Sequence, residues 1–159
     1  MKKYFLGSLF LLSSLAFGQG IGAKGALEDG NLSTPGMLTY ALQDEYLAKN
    51  EYLATLEKFG NVRPFSNIVK SEEQHIAMLL PLFLKYGVKT VNEEEMKEKV
   101  KVASSLQEAA QICIDAEVDN IAMYEKFLAQ KNLPEDLKIA FLNLKQASEK
   151  HLSAFKRQL

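Results

Sequence analysis

Apolar residues recur at spacings of three and four along most of the chain, as at Leu38, Leu42 and Leu56 and again at Phe127 and Leu128, while strand-like alternation is scarce. That period belongs to helices with one buried face. Four segments carry it. The first spans about 35–59, with Ser33 or Thr34 as cap, Pro35 in the first turn and Gly60 at the stop. The second spans about 64–86, opened by Pro64 and closed by Gly87. The third runs from 105 to about 130, and Ser105 with Glu108 forms a capping box at its start. Pro134 opens the fourth, which runs nearly to the C-terminus.

The connections set the topology. Only a few residues join the first helix to the second and the third to the fourth, so each pair is expected to be an antiparallel hairpin. Residues 87–104 form a much longer link. A helix of about 22 residues is roughly 33 Å long, a distance the link spans with slack. The second and third helices can therefore run parallel. The fold class expected is all-α: a four-helix bundle of two antiparallel hairpins joined by a long crossover. The charged stretch 92–99 within the link reads as a short surface helix.

Ahead of the bundle, Lys2 and Lys3 precede an apolar run over 4–17, and Ala16-Phe17-Gly18 offers a cleavage site before Gln19. This order is that of a secretory signal peptide. The run is too short to span a bilayer, which takes about 20 residues, and no cysteine follows it for a lipid anchor. The expected division is 1–18 signal peptide, 19–32 flexible leader rich in glycine, and 33–159 helical domain. The expected location is secreted or periplasmic, with no membrane association after cleavage. Of 19 basic residues the signal peptide removes Lys2 and Lys3, leaving 17 against 20 acidic ones, a net charge of −3. No basic stripe with interleaved aromatics points to nucleic acid. Cys113, the single cysteine, excludes an intrachain disulfide and a CxxC redox or iron module.

Each helix also places ionisable groups on its apolar side. Glu45 is followed after two turns by Tyr52, and Glu117 after two turns by Tyr124. Glu72 and His75 form an E-x-x-H, and Ser148 and His151 repeat its spacing. The half-repeat Glu…Tyr…(Glu or Ser)-x-x-His thus occurs twice, with Glu-to-His separations of 30 and 34 residues. Counted from the helix turns, the depths of Glu45, Glu72, His75, Glu117 and His151 differ by at most roughly two turns, so all five can share one layer. Ionised carboxylates are costly to bury unless paired or coordinated. Three carboxylates and two imidazoles in one layer therefore require protons or cations between them. The donor mixture suits iron, manganese or zinc, one or two ions per chain, on Glu45, Glu72, His75, Glu117 and His151. The alternative is a proton-shared polar core without metal. Tyr52 and Tyr124 are expected to hydrogen-bond the ligands, Cys113 to be a small core residue, and Glu73 and Glu149 to face solvent.

Glu45…Glu72-x-x-His75…Glu117…His151 resembles the ferritin-like di-iron carboxylate superfamily. More specifically, Asp44-Glu45-Tyr46-Leu47-Ala48, Pro64-Phe65-Ser66-Asn67-Ile68, Ser71-Glu72-Glu73-Gln74-His75 and the stretch from Ser148 to Phe155 resemble an uncharacterised bacterial and archaeal family known as domain of unknown function 2202. The resemblance implies a ferritin-like fold with a dinuclear site, and relatives that are ferroxidases, peroxidases or oxygenases. Ser148 departs from the superfamily pattern, which has a second glutamate there. A single metal and an asymmetric pair are both consistent with that change. The function expected is an exported iron- or manganese-dependent oxidoreductase acting on oxygen or peroxide, with an external electron donor and room for a homodimer. The alternatives are a non-catalytic metal-binding protein of the cell envelope and a structural bundle with a degraded site.

Overall fold

The computed structural model describes residues 20–159. The expected signal peptide lies outside the described residues. Within them are six helices and no strand: α1 (Gly22–Glu28), α2 (Thr34–Phe59), α3 (Phe65–Lys85), α4 (Glu93–Lys97), α5 (Leu106–Leu128) and α6 (Glu135–Lys156). The four long ones match the four periodic segments to within two residues at most ends, because the stop and start signals act locally. Ser33 Oγ accepts the Gly36 amide at 3.2 Å. Gly60 ends α2 at φ 83°, a backbone state that costs glycine little. Ser105 Oγ accepts the Glu108 amide at 3.1 Å, but Glu108 reaches the amide of Ser104, one residue ahead of the expected capping-box partner.

Side-chain contacts give the directions of the helices. Late in α2, Tyr52 meets Phe65 at the start of α3, while the earlier Glu45 meets His75 further along it. These two helices are antiparallel. Tyr124 against Phe141 and Glu117 against His151 make α5 and α6 antiparallel in the same way. Tyr52 reaches Glu117 and Tyr124 reaches Glu45, so α2 and α5 also oppose each other. It follows that α3 and α5 run parallel, and the link between them crosses the length of the bundle. Its short helix α4 is less superficial than its charge suggests. Met96 is buried, and Glu93 pairs with Lys49 and accepts from Asn50 on α2.

The stretch 19–32, expected to be a flexible leader, instead holds α1, packed on α2 and α5. Its glycines serve close approach rather than freedom. Gly25 has Gly20 against its Cα, and an added Cβ would collide with the Gly20 carbonyl and lie 2.9 Å from the Tyr40 ring. Gly22 sits at φ +55° directly over Asp44. The first amides of α1 are taken by Gln43 Oε1 at 2.9 Å and Asp44 Oδ1 at 2.8 Å. At the other end Lys126 Nζ donates to the carbonyls of Ala26, Leu27 and Asp29 at 2.8, 2.9 and 2.7 Å. Composition marks glycine as permissive and cannot see that backbone is packing on backbone. Gly25→Ala is expected to unseat α1 at a cost of about 1–3 kcal/mol. Thermal denaturation, and faster tryptic cleavage after Lys24 in the folded protein, would register it.

Candidate metal centre

Glu45 and Tyr52 on α2, Glu72 and His75 on α3, Glu117 and Tyr124 on α5 and His151 on α6 converge at the middle of the bundle. The three carboxylates and His151 are buried. His75 keeps 12% of its side chain exposed. His75 Nδ1 lies 3.0 Å from Glu45 Oε2 and 2.8 Å from Glu72 Oε2. His151 Nδ1 lies 3.2 Å from both Glu72 Oε1 and Glu117 Oε1. Each oxygen of Glu72 thus faces a different imidazole. Two donor groups result, Glu45–Glu72–His75 and Glu72–Glu117–His151, each with its ligand atoms within 4.8 Å of one another.

The tyrosines cross over. Tyr52 donates to Glu117 at 2.9 Å and Tyr124 to Glu45 at 2.6 Å, so each serves the glutamate of the other hairpin rather than its own. Burial first, then the neighbouring carboxylates, pushes both phenols well above their ordinary range, so they remain donors. Two aromatic triads close the site along the bundle axis. Tyr52, Phe65 and Phe155 stand on one side, with centroids 5.1–6.2 Å apart, and Tyr124, Phe127 and Phe141 on the other, at 5.1–6.0 Å.

Protons balance the charge when no cation does. Burial opposes an imidazolium at His75, but hydrogen bonds to Glu45 and Glu72 outweigh it and raise the group to about 10. His151 is raised to about 9 against burial by Glu117 and Glu72. Burial and the charge of Glu72 push Glu45 up. Burial would push Glu72 up too, but bonds from both imidazoles hold it down. Every buried side-chain nitrogen and oxygen among the described residues has a partner. The same donors fit metal. Both imidazoles turn Nδ1 to the carboxylates, and two divalent ions would outweigh three carboxylates once the imidazoles are neutral.

Three residues given no role from the sequence alone complete the site. Ser71 Oγ lies between the two imidazoles, 3.1 Å from His75 Nε2 and 3.3 Å from His151 Nε2. A hydroxyl has two lone pairs, so it can accept Nε2–H from both rings and hold both Nδ1 atoms toward the carboxylates. Ser71 precedes His75 by one helical turn, a spacing that could have flagged it. Ser71→Ala is expected to weaken metal binding about 10- to 100-fold, the range typical of losing a ligand's hydrogen-bond partner. Ser71→Thr should retain affinity, and chelator competition reads both. Asn120 and Asp44 explain Ser148. The serine hydroxyl donates to Asn120 Oδ1, and Asn120 Nδ2 donates to Asp44. A neutral side chain tied to Asn120 therefore occupies the position where the superfamily pattern has its second bridging glutamate. Glu149 is half exposed and pairs with Lys145. Cys113 is buried and free, with burial pushing its thiol well up.

A family model described as Uncharacterized protein domain (DUF2202) matches residues 35–159. The chain belongs to this family. The match covers all four long helices and every residue of the cluster. Among solved structures, hypothetical protein MJ0754 from Methanococcus jannaschii DSM 2661 is similar, with a TM-score of 0.69 and 27% identity over 82% of this chain and 83% of that one. No curated protein matches the chain. The DUF2202 match begins after α1 and runs three residues past α6, to 159, so α1 lies outside the matched segment.

Proposed function

We propose that this DUF2202 protein is an exported, ferritin-like metalloprotein that holds two divalent ions, iron or manganese, one on each side of Glu72, and acts as an oxidoreductase on oxygen or peroxide. The observation that carries it is Glu72, whose two oxygens each face a separate Glu/His group. The bundle topology, two hairpins joined by one crossover, agrees with a ferritin-like assignment. The N-terminal leader sequence supports export. When bound, a redox-active metal would supply the electron-transfer chemistry that none of these side chains provides. Glu45 and His75 would hold one ion, Glu117 and His151 the other. Tyr52 and Tyr124 keep the terminal glutamates in place, and the aromatic triads exclude bulk water. Electrons come from an external donor, since the single cysteine leaves no second redox motif.

The test is elemental analysis of the protein expressed with its leader, followed by peroxide consumption by its iron(II) form. Two equivalents of metal and a reaction faster than that of free iron(II) are expected. A rate equal to free iron would overturn the catalytic reading. A second reading, a metal-holding protein without turnover, is favoured by Ser148, which leaves Glu72 as the one carboxylate common to both donor groups. It is distinguished by tight stoichiometric binding with no repeated turnover when a reductant is supplied.

A further inference from the structure

An ion bound at the cluster must first reach a layer walled by four helices. Aromatic triads stand in both directions along the axis, and the α3–α6 side presents Ser71 and the backs of the two imidazoles, bonded together, with 12% of the His75 side chain exposed. The α2–α5 side differs. A cavity of about 20 Å³ there touches Glu45, Glu72 and Glu117 directly. That is close to the room one water needs. Outside it lies a groove of about 530 Å³ between α2, α5 and α1. Asp44, Ala48 and Ala116 line both spaces, so the two meet at these residues. Ala116 is exposed although the next residue, Glu117, is a buried member of the cluster. Alanine on both helices leaves a gap at this level that any longer side chain would fill.

Resting on the metal-centre reading, we propose that this groove is the passage by which divalent cations reach the cluster, with Ala48 and Ala116 as its neck and Asp44 and Glu51 as the carboxylates that receive the ion. Asp44 stands at the junction, held in place by the Ala23 amide and Asn120. Glu51 lies two turns along the same face of α2, half-buried in the groove wall. An arriving ion must exchange water for protein oxygens, and these carboxylates offer them one step before Glu45 and Glu117 do. Lys24, Lys99 and Lys101 also border the groove, but they are exposed at its margin, where solvent and salt screen them more than the half-buried acids.

The passage is tested on folded Ala116→Cys protein, labelled with a bulky aromatic disulfide reagent. Cys113 is buried and does not compete for the reagent. Co(II) uptake, followed by its visible absorption in stopped flow, is expected to slow by roughly tenfold or more in the adduct, since the ion must then wait for local opening of the bundle. Final Co(II) content should be unchanged, and reductive release of the label should restore the rate. Glu51→Gln should slow uptake without lowering final content. Equal rates before and after labelling would overturn the passage while leaving the centre intact. Failure of the unlabelled protein to bind Co(II) would overturn the centre and the passage with it.

Discussion

Glu72→Ala is expected to strip metal from both proposed positions at once, whereas His75→Ala and His151→Ala are each expected to strip one. The asymmetry follows from the two donor groups, which share Glu72 and nothing else. Elemental analysis should fall from two equivalents to nearly none in the first variant and to one in each of the others. Without metal, the glutamate also anchors both imidazoles, at 2.8 and 3.2 Å. Removing one partner of a buried charge group typically costs about 3–5 kcal/mol, because the other charges are left behind. The metal-free Glu72→Ala protein is therefore expected to melt well below the parent. A bundle whose polar core is vestigial would behave in the opposite way. There, Glu72→Gln or His75→Leu would be neutral or stabilising, and chelators would leave the melting temperature unchanged.

Raising the pH is expected to destabilise the metal-free protein and, at the proposed centre, to tighten the hold on metal. Both imidazoles bind protons more strongly folded than unfolded, at about 10 and about 9 against an ordinary 6.5. A raised value means stability that is fully present below 6.5 and is lost as pH climbs through 9 and 10. Glu45, also pushed up, acts in the same direction. Glu72, held down, matters only in acid, where its contribution fades as pH drops through about 2. After allowance for shared protons, a loss of about 3 kcal/mol is expected over the alkaline window, or roughly 10 °C in melting temperature. Each ion would use one deprotonated imidazole, so its binding must displace that ring's proton. Below pH 9, the affinity for each ion is therefore expected to rise by roughly tenfold per pH unit. The melting-temperature gap between loaded and metal-free protein should widen steadily between about pH 6 and about pH 8. A flat gap would mean that the imidazoles are neutral in the metal-free state or do not bind the ion.

Most of the fold was legible because its determinants are local. Pro35, Gly60, Ser105 and Pro134 act within a turn of where they stand, and apolar spacing marks the buried face of each helix. The cluster was legible for a related reason. Glu45, Glu72, His75, Glu117 and His151 are ionisable groups on faces that must be buried, at one depth in two similar hairpins. The sequence did not reveal α1, because Gly20, Gly22 and Gly25 have the composition of a flexible segment and only their neighbours make them a packing surface.

By itself, then, the sequence determined an all-helical chain of two hairpins and the set of polar residues brought to its centre, since periodicity, caps and depth are properties of each helix alone. How those residues meet was decided by tertiary structure. That Tyr52 serves Glu117 and Tyr124 serves Glu45, that Glu72 divides its oxygens between two imidazoles, that Ser71 stands behind both, and that Ser148 turns to Asn120 all depend on the rotation and offset of one helix against another. Offsets of an ångström or two between helices are set by the packing of the whole core, and no spacing within one segment encodes them.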